Sequence, residues 1–235
     1  MIATDAVMLS YDEPLADELH ARVERVLRRP TKRLHGVRGM RRAYRLTADL
    51  VDFELYFLAD GDFAISEDFD PTSVAPLAQD VSMRVWPALN PLNGLVYGYG
   101  GLKLMRRSDL HQLGSAVDVL AALPGRVEFS KQVAGTTRCN QSPYHAWKAA
   151  FRECAMLSQG SEYGMSKEGT RLRLDAWKAC RQGGDFAEFA VAGAHEGIAF
   201  ATGRCDHLED LDRINDPGWL LARFTATHNP AAVTG

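Results

Sequence analysis

The sequence predicts an α/β fold: a mostly parallel, doubly wound sheet flanked by helices, followed by a helical C-terminal part. Two observations predict the sheet. Apolar runs at 6–9 and 55–58 are typical of buried strands, and the segments between them repeat apolar residues at helical spacing. A third observation, a series of capped helical patterns after residue 142, predicts the helical part.

Strands and helices alternate over the first part of the chain. Pro14 can open a helix because its fixed backbone angle suits the first turn. Apolar residues recur from Leu15 to Leu27 at steps that place them on one face, and Pro30 ends the helix. The elements predicted here are a strand at 6–9, a helix from 14 to 30, a strand at 31–34, a helix at 40–48 and a strand at 51–59.

The later elements change from strands to helices. Strand patterns at 81–86 and 95–105 flank the turn-rich segment 90–94. Ser142 and Pro143 begin a long helix, since Ser caps its N-terminus and Pro fits its first turn. No internal repeat and no linker indicates a second domain. Further helices are predicted at 166–182, 185–201 and 216–224.

Charge is unevenly distributed, although the net charge is only −3. Ten basic residues and one acid lie between Arg22 and Arg45, whereas nine acids and no Lys or Arg lie between Leu46 and Met83. The net charge gives no general reason to expect a nucleic-acid or membrane partner. The two blocks are either solvated faces, or a surface for a polyanion beside a site for a cation.

Composition and cysteine spacing indicate a cytoplasmic protein. Hydrophobic residues make up 46% of the 235 residues, enough to bury a core, and the four cysteines lack zinc-finger spacing. No basic segment precedes the first apolar run, so we expect no signal peptide. The longest uncharged stretch, 85–102, has too many Pro and Gly residues for a membrane span, so we expect no membrane partner.

The segment Asp60-Gly61-Asp62 is the first candidate site. It follows the most apolar strand, and ligands of parallel-sheet enzymes bind beyond the carboxyl ends of the strands. Two carboxylates around a glycine let a divalent cation and a diphosphate approach the backbone closely. The alternative is a hairpin, since Asp-Gly between two apolar runs is also a favourable tight turn.

The glycine-rich segment 97–103 is a weaker candidate. It lacks the residues of a Walker motif, and Lys103 stands where GxGxxG needs its third glycine. Its glycines permit close approach of a sugar or phosphate, with Lys103 as a charge, but a bend in a glycine-rich strand explains them equally well.

Three side chains are candidates for proton transfer or metal binding, each with a structural alternative. Glu153 lies about 120° from the apolar stripe of its helix, which places it in a cleft or in water. Asp118 interrupts an apolar run, either as a functional group or as a satisfied turn residue. His195 lies on an otherwise apolar helix, where a buried, hydrogen-bonded His is commoner than a ligand.

Six segments stand together in one order and spacing. They are Ser10-Tyr11-Asp12-Glu13-Pro14, His35-Gly36-Val37-Arg38-Gly39, Asp60-Gly61-Asp62, Asn90-Pro91-Leu92-Asn93, Tyr97-Gly98-Tyr99-Gly100-Gly101-Leu102-Lys103-Leu104 and Trp147-Lys148-Ala149-Ala150-Phe151-Arg152-Glu153-Cys154. Over about residues 5–225 the chain resembles the phage glycosyltransferases found beside TET-like dioxygenases. It departs from their pattern at Cys139, where we expect an aromatic residue before Asn140.

The resemblance implies a GT-A-like fold in a single domain, 1–235, with a nucleotide-sugar-binding half at about 1–108 and an acceptor half at about 109–228. The implied enzyme is metal-dependent and uses a nucleotide-sugar, UDP-sugar first, as donor. It transfers the sugar to the hydroxyl of 5-hydroxymethylcytosine in double- or single-stranded phage DNA. The implied location is the host bacterial cytoplasm, with no obligate protein partner.

The resemblance also implies roles for single residues. Asp60 and Asp62 would hold Mn²⁺ or Mg²⁺ as a DxD motif, with His195 as a late metal ligand. Glu153 would be the catalytic base, with Asp118 as the second choice. The implied donor-binding residues are Ser10, Tyr11, Asp12, Glu13, His35, Gly36, Arg38, Asp60, Gly61, Gly100, Gly101 and Lys103. The implied DNA-binding residues are Arg41, Arg42, Arg45, Tyr99, Trp147 and Arg152.

A DNA-modifying enzyme needs phosphate contacts, which the basic block could supply, and access to a base that is buried in a duplex. We therefore expect base extrusion or a single-stranded preference, with Tyr99, Trp147 or Tyr144 as stacking partners. The alternative for each of these aromatic residues is packing in the core. Two alternatives remain open. One is a metal-dependent nucleotidyltransferase that uses the same aspartates, and the other is a DNA-binding accessory module without catalysis.

Overall fold

The computed structural model describes residues 3–160, 162–181, 183–204 and 208–228. The chain divides into two compact units, Met1–Pro91 with Leu95–Arg138, and Leu92–Gly94 with Cys139–Gly235. The first unit therefore extends beyond residue 108, where the sequence places the end of the donor half. That the two units form one domain stays a prediction.

The first unit contains the described strands and four of the α-helices. The strands are β1 (Asp5–Ser10), β2 (Lys32–His35), β3 (Leu55–Asp60), β4 (Phe63–Ile65), β5 (Val81–Leu89), β6 (Val96–Arg106), β7 (Arg126–Phe129) and β8 (Gly135–Thr137). The helices are α1 (Ala16–Leu27), α2 (Met40–Asp49), α3 (Arg107–Leu110), α4 (Val119–Ala122) and a short 3₁₀ helix, Pro71–Ser73.

The strands form one sheet in the order β2-β1-β3-β6-β5-β8-β4, with β7 also beside β5. Among the described residues four pairings are parallel, β1–β2, β1–β3, β5–β7 and β5–β8, and three are antiparallel, β3–β6, β5–β6 and β4–β8. The predicted α/β class with a mostly parallel sheet is therefore confirmed. The antiparallel β6 was not predicted as such, because a strand's direction depends on its partner rather than on its own sequence.

Burial explains where these elements form. The stripe of α1 is buried through Leu19, Val23 and Leu27, as its helical spacing predicts. In β3, Tyr56, Phe57 and Leu58 are fully buried, whereas residues 51–54, predicted as part of this strand, precede it without strand structure. The core between α1 and the sheet also contains aromatic rings that pack edge to face, Phe57, Phe69 and Trp86.

The second unit is helical over its described residues. Ser142, Ser166 and Asp216 accept backbone N–H groups at helix starts, as the sequence predicts for caps. The helices are α5 (Pro143–Ser158), α6 (Lys167–Ala179), α7 (Ala187–Arg204), α8 (Leu208–Asp212) and α9 (Pro217–His228), with a short 3₁₀ helix at Arg213–Asn215.

Three of the four cysteines lie among the described residues. Cys139, Cys154 and Cys180 are buried thiols without a disulfide, and burial raises the pKa of Cys180 to about 11. The fourth, Cys205, lies outside the described residues. Within the described ranges no helix combines the length and the apolar character that crossing a bilayer requires.

Two glycines of α7 let that helix approach α5 closely. A Cβ at Gly193 would collide with the carbonyl of Trp147, and a Cβ at Gly197 would collide with the carbonyl of Phe151. Beneath this contact the rings of Trp147 and Phe151 stack with centroids 4.6 Å apart. The approach of the two helices therefore depends on the absence of side chains at two positions one turn apart.

We predict that Gly197→Ala lowers the free energy of unfolding by about 1–3 kcal/mol, because the added methyl group must push the helices apart. The control is Gly203→Ala on the same helix, where a Cβ would have no atom within 4 Å. There the better helix propensity of Ala should raise stability by up to about 1 kcal/mol. Urea unfolding followed by Trp fluorescence measures both. Equal midpoints for the two variants would contradict the close-packing explanation.

Candidate functional site

Three parallel strands bring predicted donor-binding residues to one edge of the sheet. The carboxyl ends of β1, β2 and β3 meet at this edge because the strands run parallel. In the register, Ser10 lies opposite His35 and Leu9 lies opposite Asp60. The loops that follow these strand ends carry the other predicted residues, Tyr11, Asp12, Glu13, Gly36, Arg38 and Gly61.

Ser10 joins the ends of β1 and β2. Its hydroxyl oxygen lies 3.0 Å from His35 Nδ1 and accepts a hydrogen bond of 2.8 Å from Arg33 Nε. Its carbonyl oxygen accepts a hydrogen bond of 3.0 Å from the N–H of Gly36, where a φ of +72° favours glycine. Ser10 is 2% exposed, so its hydroxyl holds the strand ends in place.

The segment Asp60-Gly61-Asp62, which we call the acidic elbow, packs against the end of β1. A Cβ at Gly61 would lie 2.8 Å from Glu13 Oε2 and 2.8 Å from Ser10 Cβ, so a larger residue does not fit. The Glu13 carboxylate is itself held by the N–H of Tyr11, at 2.6 Å. A third carboxylate therefore lies beside the glycine of the elbow.

The acidic elbow is not a hairpin turn. β3 pairs with β1 and β6, whereas β4 pairs with β8, so the two strands that flank the elbow are not partners. The N–H of Arg138, directly after β8, donates a hydrogen bond of 2.6 Å to the carbonyl oxygen of Asp62. At the elbow the chain passes from one part of the sheet to another. The alternative interpretation, a tight hairpin turn between two paired strands, is therefore wrong.

Lys103 is buried against the elbow. Its ammonium group is 2.6 Å from Asp60 Oδ1 and 5.5 Å from the centre of the Tyr44 ring, and its side chain is 1% exposed. Burial alone would lower the pKa of Lys103, but the Asp60 carboxylate and the Tyr44 oxygen raise this pKa above its usual value. Lys103 therefore stays charged and neutralises Asp60, whereas the sequence suggested that it contacts a donor phosphate.

The carboxylates of the acidic elbow suit a metal ion whose other ligands come from a bound substrate. The described residues contain no group of three or more His, Cys, Asp or Glu side chains that could hold a metal ion. Asp60 and Asp62 supply at most two carboxylates, and one of these is already shared with Lys103. Mg²⁺ and similar ions are often bound by one or two carboxylates together with substrate phosphates and water.

The glycines of β6 have a packing role. A Cβ at Gly101 would collide with the ring of Phe63, and a Cβ at Gly98 would lie 2.6 Å from Phe129 Cδ1. Gly135 in β8 also borders the Phe63 ring. The structure thus assigns Gly101 to packing, whereas a bend of the strand there stays a prediction. The surroundings of Tyr99 and Gly100, two of the predicted site residues, lie outside the described part of the structure.

Asp118 lies in the same unit as the elbow. It caps α4 by accepting a hydrogen bond of 2.9 Å from the N–H of Leu120. The structural alternative, a turn residue whose carboxylate is hydrogen-bonded, therefore describes part of its role. Burial raises the pKa of the Tyr44 phenol, Lys103 lowers it, and Asp60 and Asp118 raise it further. The charge of Asp118 therefore acts on the Tyr44 phenol, although less than the charges of Lys103 and Asp60 do.

Glu153 and His195 belong to the second unit. Glu153 is 6% exposed, and Arg173 Nη1 lies 3.5 Å from its carboxylate and also binds Glu162. The expectation that Glu153 faces a cleft or water is wrong, because α6 covers that side of α5. His195 is exposed on α7 and not buried, and it belongs to no three-ligand cluster among the described residues.

Several side chains proposed for DNA contacts have internal partners. Arg41 donates hydrogen bonds to the carbonyls of Ser115 and Ala116, and Arg45 donates one to the carbonyl of Leu113. Arg152 binds the carbonyl of Ile214. These guanidinium groups hold loops of the protein, whereas Arg42 is exposed on α2.

The prediction that Trp147 contacts DNA by stacking on a base is wrong. It is 0% exposed, because its ring stacks on Phe151 and lies against Phe224. Core packing, the alternative that the sequence left open for aromatic residues, is what the structure shows here.

The basic block pairs with acids of the chain. Arg25 and Arg22 lie 2.7 and 3.4 Å from Glu67, and Lys32 lies 3.5 Å from Asp52. Arg33 binds Asp17 as well as Ser10. The block therefore connects α1 and β2 to neighbouring segments, and much of its charge is compensated before any polyanion binds.

Three residues at the elbow were not predicted from the sequence. Tyr44 lies on the buried face of α2, Phe63 fills the space left by glycines, and Arg138 meets Asp62 through β8. Helical spacing could have marked Tyr44 as buried. Nothing local could have revealed Arg138, because its position depends on the pairing of two three-residue strands.

The chain is similar to several solved structures, although it matches no sequence family. No protein-family model matches the chain, and no curated protein matches it. A solved structure of the mannosyltransferase PcManGT from Pyrobaculum calidifontis, in complex with GDP-Man and Mn²⁺, aligns with a TM-score of 0.45 at 14% identity. The alignment covers 99% of this chain and 85% of that one. A TM-score below 0.5 is too low to establish a common fold.

The burial of Lys103 predicts unequal effects of removing the two partners of its ion pair. Asp60→Asn should lower the free energy of unfolding by about 3 kcal/mol, because it leaves a buried ammonium group without its counter-charge. Lys103→Met should cost less, since the Asp60 side chain is 32% exposed and can be hydrated. The double variant should be more stable than Asp60→Asn alone.

Urea unfolding at about pH 8 is the measurement. Because the pKa of Lys103 is raised on folding, its contribution to stability is complete below its ordinary pKa of 10.5 and is lost as the pH rises through the folded value. If Asp60→Asn proves the milder change, Lys103 is not the buried charge that the geometry indicates.

Proposed function

We propose that this chain is a metal-dependent glycosyltransferase that moves a sugar from a nucleotide-sugar onto the hydroxyl of 5-hydroxymethylcytosine in phage DNA. The acidic elbow carries the proposal, because it lies at the carboxyl edge of three parallel strands, where ligands of α/β enzymes bind. The order of the six sequence segments supports the donor and the acceptor, with UDP-sugar as the first donor to test.

In this reaction the bond between the anomeric carbon and a donor phosphate oxygen breaks, and the acceptor oxygen forms the new glycosidic bond. A bound Mn²⁺ or Mg²⁺ would neutralise the charge of the leaving nucleoside diphosphate. Asp60 and Asp62 would hold the ion, and the hydrogen bond from Lys103 orients the Asp60 carboxylate. The strand ends at Ser10 and His35 would border the nucleoside.

The acceptor hydroxyl must lose a proton to a base as the new bond forms. Asp118 is our first candidate, because its charge acts on Tyr44 next to Lys103 and Asp60. Glu153, which the resemblance places first, becomes our second candidate, since Arg173 lies beside its buried carboxylate. His195 as a metal ligand has no support from the geometry of the described residues.

The proposal predicts that DNA containing 5-hydroxymethylcytosine gains a hexose or N-acetylhexosamine mass when incubated with the protein, Mn²⁺ and a panel of UDP- and GDP-sugars. Mass analysis of the released nucleosides is the measurement. Asp62→Asn should abolish the product, whereas Asp68→Asn, an exposed acid of the same block, should retain it. Asp62 is preferred to Asp60 for this test, because replacing Asp62 does not leave the buried Lys103 without its counter-charge.

Other outcomes separate the alternatives. A nucleotide mass on the DNA would identify a nucleotidyltransferase. DNA binding without any product, unchanged in Asp62→Asn, would favour the accessory module and overturn the proposal. The intramolecular pairing of Arg22, Arg25 and Lys32 argues against that module.

For the base, we predict that Asp118→Asn slows transfer about 100-fold or more while nucleotide binding is retained. The Asn carbonyl oxygen can still accept the hydrogen bond from Leu120, so α4 keeps its cap. Glu153→Gln should mainly affect stability and not transfer, because the Glu153 carboxylate is buried beside Arg173 on the side of α5 that α6 covers. Single-turnover transfer rates and unfolding midpoints distinguish these effects, and the reverse pattern would make Glu153 the base.

A further inference from the structure

Arg138 lies directly opposite Asp62, at the point where β8 ends and its partner β4 begins. β4 and β8 pair with Phe63 opposite Thr137, and the same register continues one residue outward to Asp62 and Arg138. The hydrogen bond of 2.6 Å from the Arg138 N–H to the Asp62 carbonyl fixes this pair. Opposed residues of an antiparallel pair place their side chains on one face, with Cβ atoms about 5 Å apart.

The side chains of Asp62 and Arg138 lie at the end of this pairing, where the two strands become accessible. Phe63 and Thr137, the preceding pair, are both 0% exposed, and Ala64 in the next pair is also buried. Asp62 and Arg138, outside these pairs, are both partly exposed. The side chain of Arg138 is thus held by strand pairing next to a carboxylate of the acidic elbow, on the side that solvent and ligands can reach.

Within the described part of the chain the guanidinium of Arg138 makes no hydrogen bond or ion pair. This sets it apart from the arginines of the basic block, such as Arg22, Arg33 and Arg41, which hold carbonyls or acids of the protein. It also differs from Lys103, whose charge is used by Asp60. Arg138 is therefore a cation at the elbow with its hydrogen-bond donors available to a ligand.

We propose that Arg138 binds the diphosphate of the nucleotide donor and stabilises it as the leaving group. This rests on the proposed function of the same site. When the bond from the anomeric carbon to the phosphate oxygen breaks, its electron pair stays on that oxygen, and the guanidinium stabilises the added charge. The planar fork of Arg matches two phosphate oxygens at once, which a lysine cannot do.

Binding of UDP and GDP, measured calorimetrically with Mn²⁺ present, tests the proposal. Arg138→Gln should weaken diphosphate binding about 10- to 100-fold, as expected for lost charged hydrogen bonds. UMP, which lacks the second phosphate, should lose less affinity than UDP. Arg138→Lys should recover only part of the loss. Lys131→Gln, an exposed cation in the loop before β8, is the matched control and should bind as the wild type does.

The outcomes separate the two proposals. If the wild type binds UDP or GDP and Arg138→Gln binds equally well, the role of Arg138 is wrong and the proposed function stands. If the wild type binds neither nucleotide with Mn²⁺, the proposed function fails and the role of Arg138 fails with it. A drop in the urea unfolding midpoint of Arg138→Gln that accounts for the lost affinity would assign Arg138 to holding the elbow and overturn its role in donor binding.

Discussion

The buried ion pair between Lys103 and Asp60 constrains the whole site. A charged lysine that is 1% exposed is tolerated only beside a carboxylate, so β6 must lie next to β3 in the register that brings the two side chains together. This pairing inserts an antiparallel strand beside the parallel β1 and β3. It also fixes the end of β3, and thereby the place where the acidic elbow begins.

The elbow and the packing of the sheet depend on each other. Immediately after Asp62 the chain enters β4, whose Phe63 fills the space left by Gly101 and Gly135. These glycines are therefore required for packing, although their sequence context first suggested close contact with a ligand. The same β4–β8 pairing that accommodates Phe63 carries Arg138 to Asp62. Core packing thus positions two polar residues that are themselves partly exposed.

Charge pairing changes how the basic block is interpreted. Arg25, Lys32 and Arg33 pair with Glu67, Asp52 and Asp17, and Arg45 binds a loop carbonyl, so a part of the block belongs to the fold. The argument for function consequently moves from a cationic surface to the edge of the parallel strands. Phosphate binding at this edge of the sheet would rely on a few cations, each held in a defined position.

The sequence by itself determined the elements whose signals are local. Apolar runs fixed β1 and β3, helical spacing fixed α1, and polar caps fixed the starts of α5, α6 and α9, because each signal acts within one or two turns of chain. It also placed Asp60 and Asp62 at a strand end. Only the tertiary structure decided which charges meet: Lys103 with Asp60, Arg138 with Asp62, and Arg173 with Glu153. Those partners are distant in sequence, and short strands such as β4 and β8 are stable only once paired.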